Sequence, residues 1–525
     1  MSDELKHECG VAALAWLKSP CGPSGPAEAT VADGNVTALM PNVLQDIQNR
    51  GQLAAGMTTY NANRRQLLDT YKEIGTVAEA FRMNHYGKYR SILEQYAGSA
   101  AIGHVRYATC GADEASDAQP FERHHGRLWK WFGFAFNGNI ANYTERRKAL
   151  LNKQHYHIIR EGDTEIVMHA LSYALRGDRQ PSALAVMRLI ARQMDGAYNL
   201  AFLNAFGELF IARDPWGFRP LCYGVQGRLF AAASESVALS NMGFTEVRDV
   251  EPGTMITVRN GELRVVRFAQ SQRRSHCFFE WIYFANVAST MDGASVYMVR
   301  ARLGQRLAEL EDQPIDDTCI VVPVPDTAKA AADSMAFHMG VPSMEGLIRN
   351  RYVGRTFIES PRGRTDKAQR KYTPIPAVLS GRRVFLVEDS LVRATTLKVL
   401  AHQLRERGHA REVHVRISCP PIISPCFYGI DMSTLNELYA PKFIPPNYRG
   451  RLSDEDSDRM ARALGVDSLR YLSVNDLAHC LQVSDDQLCK GCVTGKYPTT
   501  WGNKLMRQAR LDAVEGKTGR TYEKS

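Results

Sequence analysis

The chain has 525 residues, 44% of them hydrophobic and 23% charged, which excludes a disordered or collagen-like polymer. At roughly 100–200 residues per domain, the length allows two to four domains. Sixty-five Lys and Arg against 56 Asp and Glu give a net charge of +9. This suits an anionic small molecule at least as well as nucleic acid and does not decide between them.

No apolar run approaches the roughly 18 residues of a membrane span. The start, with Asp3, Glu4 and Glu8, lacks the apolar core of a secretory signal. A cytoplasmic protein with no membrane partner is expected. An odd number of cysteines, eleven, argues against a disulfide framework and for packing, catalysis or metal.

In chain order, the first half reads as short strands at Cys9–Trp16, Ala101–Tyr107, Trp131–Phe136, Tyr198–Leu203 and Leu209–Ala212. Apolar residues crowd these runs, and Gly, Asn and Asp punctuate them. Helical patterns at Thr144–Asn152, Thr164–Leu175 and Ser182–Gln193 interrupt. Sheets with helices packed on them, an α+β layering, are expected. The polar, basic stretch Ala269–Ser275 marks a boundary. Beyond it helices and buried strands alternate: helix Ser295–Glu311, strand Cys319–Pro323, helix Ala328–Met339, strand Val384–Val387, helix Thr395–Arg407 and strand Glu412–Ile417. That order predicts a parallel, doubly wound α/β sheet. The domains then run 9–268 and 276–500, with a leader 1–8 and a polar tail 501–525 expected to be loosely ordered.

Cys9-Gly10 opens the first strand. Alone, an early cysteine is usually a small buried hydrophobe, and Asn137-Gly138-Asn139 alone reads as a type I′ turn. Other stretches fall in line with them: Arg50-Gly-Gln52, Ala54-Ala-Gly56, Gly103-His-Val-Arg-Tyr-Ala-Thr109, Phe136-Asn-Gly-Asn-Ile140 and Gly162-Asp-Thr-Glu165. Together they resemble class II glutamine amidotransferases of the N-terminal-nucleophile kind. Such an enzyme hydrolyses the glutamine amide with a thiolate, a base and an oxyanion hole. Were Met1–Glu8 removed as a propeptide, the α-amine of Cys9 would be the base, its ordinary pKa of about 7.7–8.0 suiting neutral pH. The resemblance implies that Asn137 and the Gly138 N–H form the oxyanion hole. It also implies that Arg106 clamps the glutamine carboxylate, Asp163 holds its ammonium and Arg50 positions Cys9.

In the second half, Val384-Phe-Leu-Val-Glu-Asp-Ser-Leu-Val-Arg-Ala-Thr-Thr396 is an apolar strand ending in two acids, then a small-residue turn and a helix. Ligands of open α/β sheets sit at strand carboxyl ends. Glu388 and Asp389 suit ribose hydroxyls and Mg²⁺. The hydroxyls of Thr395 and Thr396 at a helix N-terminus suit phosphate. The stretch resembles the 5-phosphoribosyl 1-pyrophosphate (PRPP) motif of type I phosphoribosyltransferases. Val321-Val-Pro-Val-Pro-Asp-Thr327 resembles that family's pyrophosphate loop. Asn350-Arg-Tyr-Val-Gly-Arg-Thr-Phe-Ile358 opens a basic stretch, through Arg362, Arg364, Lys367, Arg370 and Lys371, that reads as a lid over an anion. The resemblance implies PRPP contacts from Asp326, Arg351, Arg355, Glu388, Asp389, Ser390, Arg393, Thr395 and Thr396, and Mg²⁺ contacts from Thr327, Glu388 and Asp389. The family usually has Gly where this chain has Ala394, an alanine strained if the position needs φ > 0, and Asp where it has Glu388.

Joined in this order, the two halves resemble the amidophosphoribosyltransferase family. The resemblance implies ammonia transfer from glutamine to C1 of PRPP, purine nucleotides as inhibitors, and a homotetramer or homodimer. Cys489-Lys-Gly-Cys492 alone suggests zinc, a redox pair or chance. With Cys277 and Cys426 it makes a four-cysteine set that suits zinc or iron–sulfur on ligand chemistry. Resemblance to the cluster-bearing, propeptide-processed branch implies a 4Fe–4S cluster. Cys21, Cys110, Cys222, Cys319, Cys419 and Cys480 are left as core or incidental. Two alternatives stay open: a diverged relative with another phosphoribosyl acceptor, and a PRPP-sensing nucleic-acid regulator. No helix-turn-helix or aromatic RNA-binding motif supports the latter, and no nucleic-acid partner is expected.

Overall fold

The computed structural model describes residues 9–107, 117–152, 157–159, 162–271, 273–350, 371–430, 432, 434–445, 448–517 and 521. In the first half, strands β1 (Gly10–Trp16), β2 (Ala54–Tyr60), β3 (Leu68–Ile74), β4 (Ala100–Arg106), β9 (Cys222–Gln226), β10 (Leu229–Ala233) and β11 (Arg248–Asp249) form one sheet in the order β11-β9-β10-β1-β4-β2-β3. A second sheet runs β13-β12-β8-β7-β6-β5, from β5 (Phe121–Arg123), β6 (Phe132–Ile140), β7 (Gly196–Asn204), β8 (Leu209–Arg213), β12 (Thr254–Arg259) and β13 (Glu262–Arg267). Every pairing in both is antiparallel.

Side chains alternate across a strand, and β1 shows the consequence. Val11, Ala13 and Ala15 pack with Ala135, Ala201 and Ile211 of the second sheet. Ala12 and Leu14 pack with Val43 and Leu44 of helix Met40–Asp46. The second sheet carries helices Asp163–Ala174 and Ala183–Gln193 on its other face, where Val167, Leu171, Val186 and Ile190 meet Phe134 and Phe136. The half is a helix–sheet–sheet–helix sandwich.

Beyond β14 (His276–Cys277) and a small hairpin of β15 (Thr290–Met291) and β16 (Ala294–Ser295), the chain builds a four-stranded sheet. Its strands are β17 (Cys319–Pro323), β20 (Arg383–Glu388), β21 (Glu412–Ile417) and β22 (Ser468–Tyr471), adjacent in that order and all parallel. Strands β18 (Leu347–Arg349) and β19 (Tyr372–Pro374) pair beside it. Helices Val296–Glu309, Lys329–Met339, Thr395–Glu406 and Asp454–Leu464 bury Leu303, Ala332, Leu400 and Met460 against one core with Val322, Phe385 and Val415.

The expected strands and helices are all present, with ends displaced by a residue or two, apart from the strand around Phe136, which extends to Ile140. Asn137–Asn139, which alone could be a turn, pair with Ala197–Asn199 inside a β ladder. One expectation is corrected. The stretch after Trp501 is not loose: Thr500–Val514 is a helix, capped by the Thr499 hydroxyl accepting from Gly502 N–H. Its buried apolar residues, Leu505, Met506 and Ala509, fall on one side and pack against Tyr428 and Tyr497. A narrow stripe is easily hidden by the polar average of the segment.

Candidate active sites

Cys9 immediately precedes β1 and is partly buried, its Sγ 3.6 Å from the Tyr107 carbonyl. Register places Gly10 opposite Val105 and Ala54 opposite Arg106. The nucleophile candidate, the end of β4 and the start of β2 therefore meet at one end of the first sheet. Burial pushes the Cys9 thiol up, against the Tyr107 bond and the positive field of Arg106 and Arg50. Arg50 is wholly buried, with Nε 2.6 Å from Glu235 and Nη2 2.7 Å from Glu280. Burial opposes its charge, and the carboxylates of Glu280 and Glu235 more than offset that.

Asn137 shares its face of β6 with Ala135, the face turned to the first sheet. It is 1% exposed and its Nδ2 has no hydrogen-bond partner among the described residues, an unusual condition for a buried donor. Gly138 has φ +151°, and a Cβ there would lie 2.0 Å from the Ala197 carbonyl oxygen, so the ladder admits only glycine. Asp163 opens its helix and accepts from Ile140 N–H at 3.1 Å. Burial raises its carboxyl to about 6, against backbone hydrogen bonds that favour the anion. His104 is wholly buried, its pKa lowered by burial to about 3, and its Nε2 lies 3.2 Å from the Phe136 carbonyl.

The second site lies at the carboxyl ends of β17 and β20. The Thr327 hydroxyl donates to Asp389, which also accepts from Ser390 Oγ at 2.6 Å, while Asp389 N–H donates to Glu388 at 3.1 Å. Burial and the adjacent Asp389 carboxylate push Glu388 well up, and burial also raises Asp389. Lys371 is lowered by burial to about 8 despite the pull of both acids. A buried like-charge pair of this kind is relieved by a cation. Asp326 pairs with Arg349 at 2.9 Å, and Arg393 with Glu437 at 3.3 Å. Ala394 sits before helix Thr395–Glu406 at φ +74°, so the conditional strain applies. Thr395 is exposed and Thr396 half-buried on the helix's first turn. Arg351, Arg355 and the lid residues 351–370 lie outside the described residues, as do Met1–Glu8 and Cys110.

A third group lies within the second half. Cys277 of β14 stands opposite Cys489 of β23 (Leu488–Cys489). Cys492 lies on the next turn, and its thiol is raised first by burial and then by Cys426, Cys277 and Cys489. Burial likewise raises Cys277, Cys426 and Cys489. Among the described residues, no group of three or more His, Cys, Asp or Glu is set to hold a single metal ion. Cys222, Cys319, Cys419 and Cys480 are buried and Cys21 exposed.

Residues 104–241 match the family model described as a glutamine amidotransferase domain. The chain is 38% identical over 500 residues to the amidophosphoribosyltransferase of Methanothermobacter thermautotrophicus, covering 94% of this chain and 95% of that one. With the enzyme of Bacillus subtilis the identity is 35% over 468 residues, covering 87% and 90%. The solved glutamine PRPP amidotransferase from B. subtilis, complexed with ADP and GMP, superposes with a TM-score of 0.77 at 33% identity, covering 94% of this chain and 98% of that one.

The chain belongs to the amidophosphoribosyltransferase family. Within that family's two-site plan, sequence reasoning gave no role to Glu235 and Arg219, whose stretches Arg213–Leu221 and Ala233–Ser236 also fit the family, and passed over Glu280. The signal was present for Glu280: an acid inside the aromatic run Phe278-Phe-Glu-Trp-Ile282 requires a buried partner, and Arg50 supplies it.

Proposed function

We propose that the chain transfers ammonia from glutamine to C1 of PRPP, giving 5-phosphoribosylamine, pyrophosphate and glutamate at the start of purine synthesis. What supports this is one chain that carries Cys9 within the field of Arg106, Asp163 and Arg50 and, in its second half, the acidic strand end of Glu388 and Asp389. With Met1–Glu8 removed, the Cys9 amine takes the thiol proton and sulfur attacks the glutamine amide carbon. The oxygen gains negative charge, received by Asn137 Nδ2–H and Gly138 N–H; the unpartnered Asn137 amide supports that role. The tetrahedral species collapses, its nitrogen leaving as ammonia with the proton returned by the Cys9 ammonium, and water cleaves the thioester to glutamate and the Cys9 thiol. Arg106 holds the substrate carboxylate and Asp163 its ammonium. At the second site ammonia attacks C1 of PRPP, and the C1–O bond breaks with its electron pair leaving on pyrophosphate.

Glu388, Asp389 and Thr327 would hold Mg²⁺, which would neutralise charge on the pyrophosphate; two carboxylates beside substrate phosphates fit that ion. Asp326, Ser390, Arg393, Thr395 and Thr396, with Arg351 and Arg355, would hold PRPP. Cys277, Cys426, Cys489 and Cys492 would hold a 4Fe–4S cluster through their thiolates; the pairing of Cys277 with Cys489 and the influence of Cys426, Cys277 and Cys489 on Cys492 support that set. Purine nucleotides would regulate the enzyme, a reading supported by the ADP and GMP of the B. subtilis relative. We place it in the cytoplasm as a homotetramer or homodimer; no helix among the described residues is long and apolar enough to cross a membrane.

The test is product formation from PRPP with glutamine or ammonium as nitrogen donor. Phosphoribosylamine from both supports the reading. Glutamine hydrolysis without phosphoribosylamine would point to another phosphoribosyl acceptor.

A further inference from the structure

The halves meet through buried charges that touch both sides of the glutaminase centre. Glu280 opens a π-helical turn, Glu280–Phe284, in the second half; such turns often mark functional places. Its carboxylate takes Arg50 Nη2 at 2.7 Å and Arg219 Nη1 at 3.3 Å, all three side chains being at most 2% exposed. Arg219 Nη2 donates to the carbonyl of Tyr428. The next residue, Gly429, lies against the oxyanion strand: a Cβ there would come within 3.2 Å of the Gly138 carbonyl carbon. One residue earlier, the Phe427 carbonyl accepts from Asn139 Nδ2 at 2.9 Å. The cation beside Cys9 and the strand carrying Asn137 and Gly138 thus both lean on the second half.

Resting on the two-site reading above, we propose that Glu280 and Arg219 are positioning residues for amide hydrolysis. Glu280 fixes the Arg50 guanidinium beside Cys9, and Arg219 ties the same carboxylate to the segment that backs Gly138. Neither touches substrate. The hydrolytic centre is then complete only with the second half docked on it. A network that merely holds the halves together would affect both reactions equally.

Glutamine hydrolysis and ammonia-dependent synthesis are measured side by side on full-length Glu280→Gln, Glu280→Asp and Arg219→Lys. Displacement of the centre should lower kcat for glutamine about 10–100-fold in Glu280→Gln, with KM within about twofold. Glu280→Asp should recover part of the loss, and ammonia-dependent synthesis should stay near wild type. Loss of both reactions in step overturns the proposal, as does unchanged glutamine turnover in folded Glu280→Gln. If Glu280→Gln does not fold, Arg219→Lys is judged by the same criteria, since it keeps the charge facing Glu280 and loses the reach to Tyr428. A wild-type protein that uses ammonium but not glutamine would overturn the two-site reading itself.

Discussion

Cys277 and Cys489 are direct partners in a parallel pairing of two-residue strands. Backbone hydrogen bonds alone set a cysteine that follows the inter-half boundary beside the first cysteine of the C-terminal CxxC. Cys489 is buried and Cys277 half-buried, and burial raises both thiols, Cys489 to about 12, so ligation of any metal must release protons. Anaerobically purified protein is expected to be brown with about four irons per chain. Cys277→Ser and Cys489→Ser should each lose iron while near-wild-type secondary structure persists. A colourless, zinc-containing wild type would exclude the cluster.

Cys9→Ser should abolish glutamine-dependent synthesis and leave ammonia-dependent synthesis intact, because only the first site needs the thiolate. Loss of both would refute separate sites. Asn137→Ala should lower kcat for glutamine about 10²–10³-fold, the usual cost of one oxyanion donor. A smaller fall, with KM taking the change, would assign Asn137 to ground-state binding.

Asp163 gives a pH signature. Its carboxyl is raised to about 6 by burial, and only the anion can hold a substrate ammonium. If Met1–Glu8 is removed as proposed, the α-amine of Cys9 must also be deprotonated, with an ordinary pKa of about 7.7–8.0. kcat/KM for glutamine reports the free enzyme. Its logarithm should rise with slope one from about pH 6 to 8 and with slope two below about 6. Asp163→Asn should return the lower limb to slope one at a reduced level. A lower limb that keeps slope two in the variant would remove Asp163 from the titration.

The sandwich and the parallel sheet were legible because their strands are apolar runs closed by Gly, Asn or Asp, and the motif-bearing turns sit at strand ends. Ala394 was legible as a conditional: only the observed φ of +74° makes it strained. Helix Thr500–Val514 was hidden because three buried apolar residues are diluted by polar ones. The union of Arg50, Glu235, Glu280 and Arg219 was out of reach because its members come from four separated segments, and one sequence shows no pairing between distant charges. The same applies to Asn139 and Phe427, joined by one side-chain-to-backbone bond across the halves.

Asp389 is the sharpest test of the second site. Its two oxygens accept from Thr327 and Ser390, and Glu388 lies beside it, both acids raised by burial. Asp389→Asn keeps the volume and one acceptor but removes a charge. The empty site loses a like-charge repulsion, so Glu388 should titrate lower and the fold should not weaken. A Mg²⁺–PRPP complex loses an anionic partner, and synthesis with either nitrogen donor should fall on the order of 10²-fold. Basal glutamine hydrolysis, which depends on Cys9, should persist. This pattern separates a functional acid from a structural one: a structural acid would lower stability and both reactions, whereas here stability holds and only phosphoribosyl transfer is lost. PRPP turnover near wild type in Asp389→Asn would place the substrate elsewhere on the sheet.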